Sequence, residues 1–233
     1  MKLLALDTSS MTATVALLDD EKLIGEYTLN HKKSHSQKLM PMIEELIKSC
    51  DLTPKEIDVF AVSLGPGSFT GLRIGIATIT AMAQALDKKV VGVPTLEALA
   101  FNLYNSEGLV CPIIDAQRDL VYTGVYQWLD GEMVEVLEQQ VLHIDELIST
   151  LKEENERIFF VGDALEKFYD ILQENLGEQF NMPPKKFLIP SASSVGEIAK
   201  IKLEKGIVTD VAPIYMRKSA AEVQYEEKMK GRE

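Results

Sequence analysis

Leu3-Leu4-Ala5-Leu6-Asp7 forms an apolar run stopped by an aspartate, and Val110-Cys111-Pro112-Ile113-Ile114-Asp115 restarts the pattern near the middle of the chain. Each run reads as a strand that ends at its aspartate. After the first run, Thr12–Leu18 and Leu23–Leu29 read as two more strands joined by a hairpin tip at Asp19-Asp20-Glu21. After the second, Val121–Trp128 and a strand near Met133–Val136 flank the turn signal Asp130-Gly131. Strand, aspartate, short loop, strand, turn, strand thus occurs twice, with Asp7 and Asp115 in equivalent places. Few identities survive between the halves, so the duplication is one of structure rather than of letters.

Each triplet of strands leads into an alternation of helices and strands. Ser36–Ser49 reads as a helix with Leu39, Ile43, Leu46 and Ile47 on one face and Met40 and Met42 beside it. Ile57–Leu64 is a buried strand, Gly65-Pro66-Gly67 breaks it, and a helix runs from Thr70 to Leu86. A strand at Val90–Val93 and a helix from Pro94 to Tyr104 complete the first half. In the second half Ile144–Glu153, Ala164–Asn175 and Ser194–Lys205 read as helices and Ile158–Val161 as a strand. Ser194 and Glu197 have capping-box spacing. The expected architecture is α/β, two units facing each other across a cleft. The units are residues 1–106 and 107–215, with a terminal helix over 216–233 packed back on the first.

Hydrophobic residues at 46% and charged residues at 26% are ordinary for a folded globular chain of 233 residues, which rules out a disordered or fibrous reading. The opening apolar run is too short for a signal-peptide core, and no stretch reads as long and uncharged enough to span a bilayer, so a cytoplasmic protein without membrane attachment is expected. Cys50 and Cys111 lack any paired spacing and read as reduced thiols. With 36 acidic against 24 basic residues, the net charge is −12. Affinity for nucleic acid comes mainly from cations on phosphates, so this chain alone should hold RNA poorly.

Candidate sites have competing readings. Gly65-Pro66-Gly67-Ser68-Phe69-Thr70-Gly71 lies between a strand and a helix, where backbone amides bind phosphates. Its spacing is neither the dinucleotide fingerprint nor a Walker loop, and a tight structural turn is an equal reading. The helix behind it carries no charge between Arg73 and Asp87. Leu72, Ile76, Ile79, Ala83 and Leu86 make one face, and Gly71, Gly75, Thr78, Met82 and Ala85 a second, mostly of small residues. Such a helix wants cover all round, from its own domain or from another chain. His31 and His35 have helical metal-pair spacing, but Lys32 and Lys33 between them and the absence of a nearby carboxylate speak against a metal. Asp7 and Asp115 could hold a cation at the ends of their strands or serve their own loops' amides, the latter favoured for Asp115.

Taken together, Leu6-Asp7-Thr8-Ser9, His35-Ser36, Gly65 to Gly75, Val93 to Leu99, Ile114 to Arg118 and Pro213-Ile214-Tyr215-Met216-Arg217 resemble, in order and over essentially the whole chain, the bacterial TsaB (YeaZ) family. The resemblance implies a duplicated actin-like (ASKHA, RNase H-like) two-domain fold with mixed sheets and no catalysis of its own. It implies pairing with a TsaD-like catalytic subunit, in a system with a TsaE-like ATPase and a TsaC-like adenylate synthase. That system transfers a threonylcarbamoyl group to the adenosine beside the anticodon in tRNAs reading codons that begin with A. Catalytic relatives carry a metal-binding histidine pair where this chain has Thr95 and Leu99, and a glycine pair where it has Gly162-Asp163-Ala164. No metal and no cofactor of its own are therefore expected, with a nucleotide (ATP or ADP) at the partner interface left open. The expected partner surface is Leu39, Met40, Met42, Ile43, Leu46, Gly71, Gly75, Thr78 and Met82, able to form a homodimer when the partner is absent. Asp7, Thr8, Ser9, Gly65, Gly67 and Ser68 are the residues of a residual phosphate or nucleotide loop. The alternatives are an ATP-dependent phosphotransferase of the same fold using Asp7, or a metal-dependent glycoprotease.

Overall fold

The computed structural model describes residues 1–31, 35–207 and 211–217. In the first half, β1 (Leu3–Asp7) pairs antiparallel with β2 (Thr12–Leu18), which pairs with β3 (Leu23–Asn30). On its other side β1 runs parallel to β4 (Val59–Ser63), and β4 to β5 (Lys89–Val93). In the second half, β6 (Leu109–Asp115), β7 (Leu120–Leu129) and β8 (Glu132–His143) form the antiparallel side, and β9 (Ile158–Val161) and β10 (Phe180–Asn181) the parallel side. The sheet orders are β3-β2-β1-β4-β5 and β10-β9-β6-β7-β8, which match strand for strand. Helices α1 (His35–Ser49), α2 (Phe69–Leu86) and α3 (Thr95–Phe101) recur in the same places as α4 (Ile144–Leu151), α5 (Leu165–Leu176) and α6 (Ala192–Glu204). The duplication read from the two aspartate-ended strands is complete at the level of topology.

The central strands are apolar throughout because both of their faces are covered. Leu4 and Leu6 of β1 point to a cluster with Leu39, Ile43 and Leu46 of α1 and Ile79 and Ala83 of α2. Leu3 and Ala5 point the other way, onto Ala192, Val195 and Ile198 of α6. In β6, Cys111 and Ile113 meet Leu147 of α4 and Phe168 and Leu172 of α5, while Val110 and Ile114 meet Leu96 and Leu99 of α3. The last helix of each half is thus exchanged: α3 covers the second sheet and α6 the first. A cut at residue 106 therefore does not separate two cores, and the expectation of two consecutive units is corrected to two interlocked ones. Of the terminal helix expected over 216–233, Met216 and Arg217 are bends and the remainder lies outside the described residues.

Three further differences have local causes. First, α6 begins at Ala192, so Ser194 is inside the helix and its hydroxyl donates to Asn102 Oδ1 at 2.8 Å instead of forming the expected capping box. Its N-terminus is held instead by Glu26 of β3, whose carboxylate accepts from Ser193 N at 3.1 Å and Ser191 Oγ at 2.9 Å. A carboxylate at that end also complements the helix dipole. Second, β8 runs well beyond Val136, carried by its long pairing with β7. Third, α2 is, among the described residues, one helix long and apolar enough to cross a membrane, which corrects the expectation that no stretch is. Leu72, Ile79 and Ala83 of α2 are buried in the chain itself, so packing on the first sheet accounts for its apolar face.

Candidate functional site

The conspicuous glycine loop after β4 is packed against the loop after β1. Ser68 N donates to Ser9 O at 2.6 Å, and Thr8 Oγ1 donates to Gly71 O at 2.8 Å. A Cβ on Gly67 would lie 2.3 Å from Ser9 O, one on Gly71 2.0 Å from Thr8 O, and one on Gly75 2.3 Å from Thr8 Oγ1. Real Cβ atoms do not approach this closely, so Gly67 and Gly71 are required by the backbone of the loop after β1 and Gly75 by the Thr8 side chain. Gly65, at φ +112°, donates through N to Thr95 Oγ1 at 3.1 Å and accepts from Thr95 N at 2.8 Å. Ser68 caps α2 by accepting from Gly71 N at 3.2 Å. Of the two readings left open, the tight structural turn is the one that the geometry supports. The amides of Ser9, Gly65, Ser68 and Gly71 are all engaged inside the chain and do not fit a phosphate.

Asp7 sits fully buried at the end of β1. Its Oδ1 accepts from Ser9 N and Ser9 Oγ, both at 2.8 Å. Its Oδ2 and the neighbouring Ser63 Oγ are buried without a hydrogen bond. Burial pushes the Asp7 carboxyl above its ordinary value, opposed in part by the Ser9 amide and hydroxyl and by His35. His35 reaches in from the start of α1, with Nε2 2.7 Å from Ser10 O, which braces the same loop from the other side. Among the described residues no group of three or more His, Cys, Asp or Glu is placed to hold a metal ion. Thr95 and Leu99, in the places of a histidine pair, are both buried, the first tied to Gly65 and the second in the core of the second sheet.

Between the two sheets opens a cleft of about 850 Å³, with Ser9, Ser10 and Thr12 on one wall and Asp115, Asp163 and Glu166 on the other. Asp115 is exposed and serves its own loop, accepting from Gln117 N at 3.0 Å, while its amide donates to Asp163 Oδ1 at 3.1 Å. Lys167 Nζ lies 3.5 Å from Asp115 and 3.2 Å from Asp119. The intervening Gln117, Arg118 and Asp119 all have positive φ, +64°, +54° and +59°, a left-handed turn that costs on the order of 1 kcal/mol per residue. Ala164 is buried in the helical region at φ −69°, so no glycine is required there.

The expected partner surface is divided by the structure. Leu39, Ile43 and Leu46 are almost completely buried in the chain's own core, and Gly71 and Gly75 are closed off by Thr8, so these five have no surface for another chain to touch. Helical phase explains the correction, since the small-residue face of α2 lies over the Thr8 loop. Met40 is exposed, while Met42, Thr78 and Met82 are half-buried. The face of α2 turned outward is Ala77, Thr80, Ala81, Gln84 and Ala85, of which only Ala85 was singled out from the sequence. Its signal was present in the i, i+3, i+4, i+7, i+8 spacing of small and uncharged residues, one step round the helix from the glycines.

Comparison with known proteins agrees with this geometry. Residues 22–225 match the family model described as TsaD, tRNA N6-adenosine threonylcarbamoyltransferase. The chain is 34% identical over 230 residues, covering 99% of itself and all of the relative, to the tRNA threonylcarbamoyladenosine biosynthesis protein TsaB of Bacillus subtilis. A crystal structure from Pseudomonas aeruginosa, of a protein described as similar to the peptidase YeaZ, superposes with a TM-score of 0.79 at 28% identity, over 93% of this chain and 99% of that one. The component A of (R)-2-hydroxyglutaryl-CoA dehydratase from Acidaminococcus fermentans shares the fold alone, at 11% identity and a TM-score of 0.51, over 88% of this chain and 99% of that one. The architecture is the actin-like duplicated α/β fold with two mixed sheets, and the chain belongs to the TsaB (YeaZ) family of tRNA threonylcarbamoyladenosine biosynthesis proteins.

Proposed function

We propose that this chain serves tRNA threonylcarbamoyladenosine biosynthesis as a non-catalytic subunit, binding and activating a TsaD-like catalytic partner through the exposed faces of α1 and α2. The observation that carries the reading is the outward face of α2, where Ala77, Thr80, Ala81, Gln84 and Ala85 carry no charge. An exposed helix face is ordinarily charged, and a flat uncharged one suits close approach by another helix. Met40 on the neighbouring α1 adds an adaptable apolar contact. The loops expected as a residual phosphate or nucleotide site are here tied to one another, which supports a scaffold role over an ATP-dependent phosphotransferase. A nucleotide at the partner interface, ATP or ADP, would have to be held by groups other than the amides of Ser9, Gly65, Ser68 and Gly71. With a net charge of −12 the chain meets tRNA only within the larger assembly with TsaD-like and TsaE-like proteins, in a pathway that a TsaC-like adenylate synthase serves.

Ala81→Glu is the direct test, because Ala81 is exposed and the substitution leaves the core untouched. The variant should melt like the parent yet lose co-purification with a TsaD-like subunit and the modification activity of a reconstituted mixture. It should also remain monomeric in sedimentation at concentrations where the parent pairs with itself. Retained partner binding would remove this face from the interface.

A further inference from the structure

The described residues 211–217 run across both cores. Val211 and Ile214 pack onto the first-sheet cluster that contains Phe60 and Leu64, whereas Met216 packs onto the second-sheet cluster that contains Ile114 and Tyr122. The backbone is tied as well. Ile214 N donates to Leu64 O at 2.7 Å, and Ile214 O fills the space that a Cβ on Gly65 would need, 2.7 Å away. Tyr215 stacks on Phe69 with ring centroids 4.3 Å apart and 13° between planes, and its hydroxyl accepts from Arg73 Nε at 2.9 Å. Arg217 then crosses to the other half and donates to Ala116 O, at the head of the left-handed turn. Phe69 and Arg73 at the start of α2 and Ala116 after β6 thus acquire one shared role, which is to seat this segment.

The rest of the topology shows why such a tie matters. The chain passes from the first sheet to the second at Pro94, between β5 and α3, and returns at Pro190, ahead of α6. Two crossings define an axis about which two bodies can turn, and a third connection away from it resists the turning. We propose that Pro213–Arg217 is a latch that sets the opening of the cleft between the two sheets. Seated on Phe69, Arg73, Leu64 and Ala116, it holds the halves at the observed angle. Released, it lets them hinge at residues 94 and 190 while both cores stay folded.

The test compares the parent with Tyr215→Ala/Arg217→Ala by two measurements. Spin labels placed by Glu44→Cys on α1 and Ser149→Cys on α4, both exposed positions, report the distance between the halves in a Cys50→Ser background. Amide hydrogen exchange reports the latch and the cores separately. The expected result is a broadened, shifted label distance together with exchange at Ile214 and at residues 116–120 raised about tenfold or more, with β2 and β7 unchanged. An unchanged distance with faster exchange at Ile214 overturns the proposal, because the exchanged helices α3 and α6 would then hold the angle without the strap. Faster exchange in β2 and β7 also overturns it, since the segment would be ordinary core packing. Should the double variant fail to fold, Arg217→Gln alone is measured in the same way, and an unchanged distance there counts against the latch.

Discussion

Replacing Gly75 by alanine tests the packing of the two loops. An ideal Cβ at Gly75 lies 2.3 Å from Thr8 Oγ1 and 3.0 Å from Leu6 Cδ1, both fully buried side chains. The Thr8 hydroxyl cannot simply rotate away, because it donates to Gly71 O at 2.8 Å. Overpacking costs roughly 1–3 kcal/mol and the lost buried hydrogen bond about 1 kcal/mol. Against this, alanine for glycine inside a helix returns about 1 kcal/mol. The net loss is on the order of 1–3 kcal/mol, or a fall in Tm of roughly 2–12 °C for a chain of this size. Thr8→Ala removes the obstructing hydroxyl, so in the double variant the new methyl group occupies vacated space. The pair should therefore be less destabilised than the sum of its members by about 1–2 kcal/mol. Urea and thermal unfolding of the four proteins measure this. If Gly75→Ala melts at or above the parent, or if the two effects simply add, the small-residue face of α2 is not packed on Thr8 and the division of the partner surface fails with it.

Three other outcomes are expected from buried groups elsewhere in the chain. Asp7 is protonated more readily in the folded chain than in the unfolded one, so its contribution to stability falls as pH rises from the ordinary carboxylate value through the raised folded value. Asp7→Asn, which keeps an acceptor for Ser9, should gain roughly 1–3 kcal/mol over the parent at pH 8, a gap that closes as pH falls; equal pH slopes in urea unfolding would contradict this. Glu26→Ala leaves the Ser191 and Ser193 groups at the start of α6 without their carboxylate and should cost about 1–2 kcal/mol, with faster amide exchange at Ser193. The Cys111 thiol, fully buried and pushed up to about 12, should resist iodoacetamide at pH 8 until urea unfolds the chain, as followed by mass spectrometry.

Much of the fold was legible because the strands announce themselves. Thr12–Leu18 and Ile158–Val161 have the bounds read from the sequence, and the two aspartate-ended runs are β1 and β6. Apolar runs and turn signals are local, and so local reading finds them. What local reading could not find is set by partners distant in sequence. The exchange of α3 and α6 depends on which sheet each helix meets, and both carry enough small apolar residues to fit either. The true cap of α6 is Glu26, whose Oε2 also accepts from Ser193 Oγ at 3.2 Å, and no spacing rule links a β3 residue to that helix. Helix phase was the other loss. Gly71, Gly75, Thr78 and Met82 were grouped correctly as one stripe of α2, but the side on which the chain's own loop would lie was not in the pattern.

The candidate site was legible as residues and not as chemistry. A glycine-rich turn between strand and helix can approach a phosphate or another backbone, because glycine permits either and specifies neither. What decides is the count of free amides, and that count exists only once the loops after β1 and β4 are placed together. Here the residues of the two loops are turned toward each other, with Thr95 holding Gly65 and Ser9 holding Ser68. The glycine loop at the start of α2 and the small-residue stripe behind it are thus seated on one neighbour, the loop after β1. A change that parted the loops would disturb the seating of α2, and its outward face with it.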